Sequence, residues 1–157
     1  MNKSLLEGKK ILAVDDEPDV LSVLEEEIKD ACASCTFEKA TSYEEAMDKL
    51  EKNNYDIVIL DIMGVRGFDL LEFCVKKGLK VVMLTAHALN ADALLKSYQM
   101  KAHGYLPKDK LGEIVPFLED VLSHDFSTGW KRLLAKLEDY FFDKNFDPSW
   151  KNKIGYF

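Results

Sequence analysis

The sequence predicts an α/β fold, a doubly wound five-stranded parallel sheet with a C-terminal helical extension. Short apolar runs with strand character alternate five times with runs of helical period, which is typical of a parallel sheet covered by helices on both faces. Four of the apolar runs lead into a polar side chain, in turn Asp15, Asp61, Thr85 and Lys108. The chain has 157 residues, 47% of them hydrophobic and 31% charged, and is therefore long enough for one domain with a substantial core.

Boundary signals mark the successive β–α units. Pro18 follows the first strand and suits the first position of a helix, and Ser42 with Glu45 forms a capping-box signature before the second helix. Gly78 suits the end of the third helix, and Pro116 is tolerated only in the first turn of the fifth. The predicted strands are 10–14, 36–40, 55–60, 80–84 and 104–107, and the predicted helices begin near 18 and 42 and then span 68–77, 89–100 and 113–122.

The C-terminal residues differ in composition from the rest, so we expect one domain over 9–124 and an extension over 125–157. Residues 126–157 hold nine of the seventeen aromatic side chains, and their six Lys or Arg outnumber their four Asp or Glu. Ser127 or Thr128 is expected to cap a helix there. We expect its apolar face to pack on the chain's own domain, near the fifth helix, with dimerisation or partner binding as alternatives. The residues on this face are Trp130, Leu133, Leu134, Leu137 and Phe141.

The net charge of −7 and pI of about 5.0 argue against nucleic acid or an anionic membrane as the main partner. No apolar run approaches the roughly 18 residues of a membrane span, and the N-terminus lacks a signal-peptide core, so a cytoplasmic location is expected. Cys32 and Cys35 have CxxC spacing, but no two further metal ligands lie near them. With Cys74 they make an odd count, which favours reduced thiols.

The polar groups that follow the strands suggest a chemical role. Carboxyl ends of parallel strands form the ligand-binding edge of open α/β sheets, so Asp15, Asp16 and Asp61 are expected to converge. Three close carboxylates repel one another unless a cation intervenes, and Mg²⁺ is suited to one or two carboxylates plus a phosphate. An aspartate there can attack phosphorus to form an acyl phosphate. Lys108 and the Thr85 hydroxyl could then contact the phosphoryl oxygens.

These motifs together resemble the receiver domain of bacterial two-component response regulators, over about residues 9–124. Each motif alone is weak, but four in this order and spacing are specific. The resemblance implies a flavodoxin-like receiver fold. The matching segments are Asp15-Asp16-Glu17-Pro18, Asp61 after Ile-Val-Ile-Leu, Met83-Leu84-Thr85-Ala86-His87, and Gly104-Tyr105-Leu106-Pro107-Lys108.

The resemblance also implies a function: a phosphorylation-driven switch that is not an enzyme in the usual sense. Asp61 would take the phosphoryl group from a histidine kinase or phosphotransfer protein, or from a small donor with Mg²⁺, and lose it by slow hydrolysis. The downstream partner is expected to be a protein, and a homodimer is an alternative state. The implied roles are magnesium ligation by Asp15, Asp16, Asp61 and the Met63 backbone carbonyl, phosphate contact by Lys108, and switching by Thr85 and Tyr105.

Three local features depart from the family pattern or add to it. The loop from Asp61 to Gly67 is shorter than usual and has no proline. Asp109 stands where a proline usually follows the lysine, so a cis peptide there would cost a few kcal/mol. His87 lies two residues after Thr85, where a side chain can overhang the acceptor or simply be a surface histidine.

Three other functions fit the sequence less well. An aspartyl-phosphate hydrolase usually needs a second aspartate where Met63 stands. A flavodoxin relative would need a Ser/Thr/Gly-rich phosphate loop after the first strand, and the residues there are acidic. A degenerate receiver that binds partners without phosphorylation is disfavoured by the complete set of acids, threonine and lysine. No usual output domain is recognisable, so a stand-alone regulator and a fragment of a larger one both fit.

Overall fold

In the computed structural model of the chain, residues 4–86 and 91–140 are described, with side chains through 136. Five parallel strands form one sheet in the order β2-β1-β3-β4-β5, and helices cover both faces, so the predicted fold class is confirmed. The strands are β1 (Lys10–Val14), β2 (Thr36–Ala40), β3 (Ile57–Asp61), β4 (Lys80–Thr85) and β5 (Gly104–Pro107). The helices are α1 (Pro18–Ala31), α2 (Tyr43–Lys52), α3 (Gly67–Lys76), α4 (Ala91–Gln99), α5 (Ile114–Ser123) and α6 (Phe126–Tyr140).

The central strands are buried along almost their whole length, as expected for a parallel sheet between two layers of helices. β1 lies between β2 and β3, where Ile11 pairs with Phe37 on one side and Ile57 on the other. This strand order brings the C-terminal ends of β1, β3, β4 and β5 to one edge of the sheet.

The predicted helix starts depend on local hydrogen bonds that the structure contains. Ser42 Oγ accepts from the Glu45 N–H at 3.1 Å, and the Glu45 carboxylate accepts from the Thr41 N–H at 2.9 Å. The capping box is therefore formed, except that the Glu45 carboxylate accepts from the N–H of Thr41 rather than from that of Ser42. Pro18 is the first residue of α1, as predicted.

Some boundaries differ from prediction for visible reasons. β3 starts at Ile57 rather than 55. The Asp56 side chain accepts from the Lys10 N–H at 2.8 Å and so takes the place of a backbone carbonyl in the hydrogen-bond ladder between the strands. α5 starts one residue late, after a 3-10 helix over Lys108–Glu113. No peptide bond in the described segments is cis, including that between Lys108 and Asp109. The predicted start of the fourth helix, and His87, fall outside the described residues.

The extension forms α6, which packs across α4, the start of β5 and α5. Its buried side chains include Trp130, Leu133 and Leu134, so this part of the predicted packing is confirmed. The predicted cap was wrong: Ser127 and Thr128 lie inside α6, and Asp125 Oδ1 accepts from the Thr128 N–H at 2.7 Å. The Leu137 side chain and Phe141 lie outside the described part.

The contacts of α6 define a surface that we call the α6 interface. Trp130 Nε1 donates to the Ala102 carbonyl at 2.8 Å, and its ring meets that of Tyr98 edge-on, with centroids 5.2 Å apart. At the rim, Asp120 of α5 accepts from Arg132 and Lys136 at 3.1–3.2 Å. The residues of the α6 interface are Tyr98, Ala102, His103, Phe117, Asp120, Val121, Phe126, Trp130, Leu133 and Lys136.

The three cysteines are free thiols, as predicted, and all three are buried. Cys35 Sγ donates to the Cys32 carbonyl at 3.1 Å, just beyond the end of α1. Burial raises the pKa of the Cys35 thiol to about 11, so it stays protonated near neutral pH.

Candidate functional site

Three aspartates from the ends of two strands meet at the C-terminal edge of the sheet. Asp15 follows β1 and Asp61 ends β3, and carboxylate oxygens of Asp15, Asp16 and Asp61 lie within 4.8 Å of one another. Asp15 and Asp61 are buried, whereas Asp16 is exposed. The convergence expected from the strand ends is therefore present, with one carboxylate left on the solvent side.

Lys108 follows β5 and points its ammonium into this cluster. Its Nζ lies 3.0 Å from Asp15 Oδ2 and 3.1 Å from Asp61 Oδ1, and the side chain is only 14% exposed. A third carboxylate, Glu17, lies 3.4 Å from the same nitrogen. The contact with Glu17 was missed at the sequence level, although this residue belongs to the acidic motif after β1.

The protonation equilibria of the cluster follow from burial and from like charge. Burial, and then the charge of Asp15, raise the pKa of Asp61 to about 6, against the opposing effect of Lys108. Burial also raises the pKa of Asp15 above its ordinary value. Burial alone would lower the pKa of Lys108, but its contacts with Asp15 and Asp61 raise it well above the usual range. The ammonium is therefore charged, and it does not fully compensate two buried carboxylates.

One buried oxygen in the cluster is left without a hydrogen bond. Asp15 Oδ1 accepts from the Glu17 N–H at 2.8 Å, whereas Oδ2 is buried and has no hydrogen-bond partner among the described residues. Lys108 is near Oδ2, but the two form an ion pair outside hydrogen-bond geometry. The Lys108 ammonium offsets part of the cost of burying this oxygen. A divalent cation in contact with the cluster would offset more of it. The all-oxygen donor set suits Mg²⁺.

The loop between β3 and α3 forms one wall of the site and has an unusual backbone. Gly64 has φ +86° and Arg66 has φ 56°, both in the left-handed region. The guanidinium of Arg66 lies 4.0 Å from the centre of the Tyr43 ring and pairs with Asp69, which holds this conformation in place. Met63 extends its side chain into solvent, 73% exposed.

Thr85 and Tyr105 lie on neighbouring strands behind the acid cluster. Thr85 ends β4, pairs in register with Pro107, and is 7% exposed. Tyr105 pairs with Met83 and is fully buried. Thr85 faces the same cavity as Asp61 and Lys108, whereas Tyr105 does not line it.

A cavity of about 860 Å³ opens above Asp61. It continues between α3 and α4, where the Lys96 ammonium lies 4.4 Å from the centre of the Phe68 ring. Phe68 and Lys96 were not singled out from the sequence, because neither belongs to a motif. The cavity gives a phosphate-bearing group direct access to the acid cluster.

In the part of the chain that the structure describes, no helix has the length and apolar character needed to cross a membrane.

Similarity to known proteins agrees with this geometry. Residues 11–118 match the family described as the response regulator receiver domain. The two-component response regulator ARR18 of Arabidopsis thaliana is 35% identical over 107 residues, which cover 64% of this chain and 16% of that protein. The sensory transduction protein LytR of Staphylococcus epidermidis is 32% identical over 103 residues, covering 63% of this chain and 40% of that protein.

Solved structures show the same fold. A protein from Chloroflexus aurantiacus described as a response regulator superposes with a TM-score of 0.66 at 28% identity, covering 75% of this chain and all of that one. The present chain spans less than half the length of the two curated relatives. With the family match over most of its length and this acid cluster at the strand ends, the chain belongs to the response regulator receiver domain family.

Proposed function

We propose that Asp61 accepts a phosphoryl group from a histidine kinase or phosphotransfer protein and that this switches binding to a downstream protein. Receiver domains act in two-component signalling and take phosphoryl groups from histidine kinases. The observation that carries the proposal is the Asp15–Lys108–Asp61 cluster, in which one ammonium lies about equally close to both buried carboxylates.

The transfer step is a displacement at phosphorus. A carboxylate oxygen of Asp61 attacks the phosphorus of a phosphohistidine, an O–P bond forms, the P–N bond breaks, and its electron pair stays on the donor imidazole. The signal ends by hydrolysis of the aspartyl phosphate. A water oxygen attacks the phosphorus, the O–P bond to Asp61 breaks, and the products are the free carboxylate and inorganic phosphate. Because the pKa of Asp61 is about 6, most of it is in the reactive carboxylate form at neutral pH.

The cluster also fits the divalent cation that receiver domains bind at their acidic site. Asp15, Asp16, Asp61 and the backbone carbonyl of Met63 would hold Mg²⁺, and the ion would supply positive charge between the carboxylates and the phosphoryl oxygens. The unbonded Asp15 Oδ2 supports this assignment. Lys108, 3.1 Å from Asp61 Oδ1, would neutralise an oxygen of the attached group.

Thr85 and Tyr105 are proposed to transmit the change. A phosphoryl group adds roughly −1.5 to −2 charge and new acceptor oxygens, toward which the Thr85 hydroxyl can move. Tyr105 is buried on the next strand, two residues after His103, which contacts Phe126 of α6 with ring centroids 6.0 Å apart. A shift of Tyr105 would reach the α6 interface through β5 and His103. Such a shift would change how α6 is packed without unfolding the domain.

Residues 9–124 would then form the receiver domain. Residues 125–157 would form the extension through which phosphorylation changes partner binding. α6 covers parts of α4, β5 and α5 within one chain, which supports a monomer over a homodimer joined by this face. The complete set of acids, threonine and lysine supports phosphorylation over a degenerate receiver that only binds partners. Asp61 is a stoichiometric acceptor with slow hydrolysis, not a turnover enzyme.

The proposal is tested by incubation with Mg²⁺ and acetyl phosphate, read by intact mass. The wild type should gain one phosphoryl group, and Asp61→Asn none, because the amide cannot attack phosphorus. Asp48→Asn, on the exposed face of α2 and away from the acid cluster, serves as the matched control and should react like wild type. Phosphorylation of Asp61→Asn to the wild-type level would refute the assignment. With beryllofluoride, amide exchange should change over residues 85–106 and in α6.

A further inference from the structure

The short loop between β3 and α3 contains two glycines with different steric surroundings. A Cβ built on Gly67 would lie 2.8 Å from Ile62 Cα and 2.9 Å from the Asp61 carbonyl carbon, both backbone atoms that cannot move independently. A Cβ built on Gly64 would instead lie 2.6 Å from Asp16 Cγ and 2.7 Å from its Oδ1. The absence of a side chain at Gly67 therefore allows the backbone to follow this path. The absence of one at Gly64 leaves room for the Asp16 carboxylate.

The Asp16 carboxylate has little else to hold it there. Its side chain is exposed, and it makes no hydrogen bond or ion pair with the other residues that the structure describes. Asp15 differs, since the Glu17 N–H fixes one of its oxygens. The position of the Asp16 carboxylate beside Asp15 and Asp61 thus depends on free space next to the loop backbone, and that space exists because residue 64 has no side chain.

We propose that Gly64 is a positioning residue for the divalent cation, acting through Asp16. This rests on the proposed magnesium site and deepens it. A side chain at 64 would turn the Asp16 carboxylate outward, at little cost to the fold, because the displaced group is the free end of an exposed side chain. The cation would lose a ligand while the protein stayed folded.

The chain provides a matched control for backbone strain. Gly78, after α3, has φ +82°, close to the +86° of Gly64, but a Cβ there would meet nothing within 4 Å. Gly64→Ala and Gly78→Ala therefore share the penalty of an L-residue at positive φ, and only Gly64→Ala adds the contact with Asp16. Gly64→Asn is a second variant, because Asn tolerates positive φ better and still carries a Cβ.

The test is the melting temperature of each variant in EDTA and across a Mg²⁺ titration at constant ionic strength, from which the dissociation constant follows. We expect both Ala variants to melt at similarly reduced temperatures in EDTA. The Mg²⁺ dissociation constant should rise by about 10-fold or more in Gly64→Ala and Gly64→Asn, and stay at the wild-type value in Gly78→Ala. Wild-type affinity in Gly64→Ala, or an equal loss in Gly78→Ala, would overturn the inference.

A double-mutant cycle shows whether the effect passes through Asp16. Asp16→Ala should itself weaken Mg²⁺ binding, and Gly64→Ala should then cause no further loss in that background. A full additional loss would mean that residue 64 acts independently of Asp16, contrary to the proposal. A wild type whose melting is indifferent to Mg²⁺ would overturn both this inference and the proposed metal site. Phosphoryl acceptance by Asp61 is measured separately, by mass.

Discussion

The acid cluster and the α6 interface lie at the two ends of β5, and they differ in how they affect stability. The cluster buries two carboxylates against one ammonium and leaves Asp15 Oδ2 without a hydrogen bond to any described residue. The α6 interface buries the Trp130 indole with its N–H bonded, and places its charges at the solvent-exposed rim. One region gives up stability to create a binding site, whereas the other supplies stability through apolar burial. Substitutions in the two regions should therefore change stability in opposite directions.

The largest effect is expected at the α6 interface. Trp130→Ala should lower the free energy of unfolding by about 3–5 kcal/mol, because it removes a fully buried aromatic side chain from a packed site. Urea denaturation followed by far-UV circular dichroism measures this. Trp130→Phe keeps most of the buried area but leaves the Ala102 carbonyl without its donor, so a loss of about 1–3 kcal/mol is expected. A loss below about 1 kcal/mol for Trp130→Ala would show that α6 contributes little to stability.

Substitution in the acid cluster should raise the stability of the protein rather than lower it. In EDTA at pH 7, Asp61→Asn is expected to raise the free energy of unfolding by about 1–3 kcal/mol. The substitution removes a negative charge that burial and Asp15 disfavour, as the raised pKa of the Asp61 carboxyl indicates. A carboxyl with a raised pKa in the folded state binds protons more readily there, so its ionisation destabilises the fold as pH rises from about 3.8 to 6.

The difference between Asp61→Asn and wild type should therefore shrink toward zero below pH 4. Urea denaturation at several pH values measures it, and addition of Mg²⁺ at pH 7 should stabilise wild type more than the variant. A variant that is less stable than wild type in EDTA would contradict the view that this cluster is held at the expense of stability.

The smallest effect is expected at the rim of the α6 interface. Asp120 pairs with Arg132 and Lys136, and although its partial burial acts the other way, these contacts lower the pKa of its carboxyl. Its stabilising contribution is then present above the ordinary pKa of 3.8 and is lost as pH falls below it. Because the side chains are partly exposed and screened by solvent, Asp120→Asn should cost less than about 1 kcal/mol at neutral pH.

The matched control for this rim is Asp48→Asn, which breaks the exposed pair with Lys52 within α2. Thermal melting should show a small loss for Asp120→Asn and almost none for Asp48→Asn, and raised salt should reduce the former. Equal effects of the two substitutions would mean that the rim pairs do not help to hold α6.

The same contrast explains how far the sequence predicts this structure. The strands, and with them the meeting of Asp15, Asp61 and Lys108, follow from local periodicity together with the rule that parallel strands share a ligand-binding edge. The capping box of α2 is similarly local, because Ser42 and Glu45 are three residues apart. These features depend on neighbours in the chain or on topology alone.

Features that depend on distant parts of the chain were less accessible. The apolar period of α6 indicated a buried face, but the position of the indole against Ala102 depends on space between α4 and α5. The cap was assigned to Ser127 or Thr128, since hydroxyls at a helix start are usual caps. Packing of the Phe126 and Trp130 rings instead starts the helix at Phe126 and makes Asp125 the cap. The closeness of Gly64 to Asp16 links two loops far apart in sequence, and no motif signals it.

The hydrogen bond between Trp130 and Ala102 also bears on aggregation. Within the described residues, β5 is an edge strand with a single neighbour, and such strands offer a template for pairing with other chains. All four of its residues are nevertheless buried, it is short, it ends in Pro107, and the carbonyl of Ala102 just before it is occupied by the indole. β2, the opposite edge, is guarded in another way, by the charged side chains of Glu38 and Lys39. Detachment of α6 would free the Ala102 carbonyl and leave β5 as the less protected of the two edges.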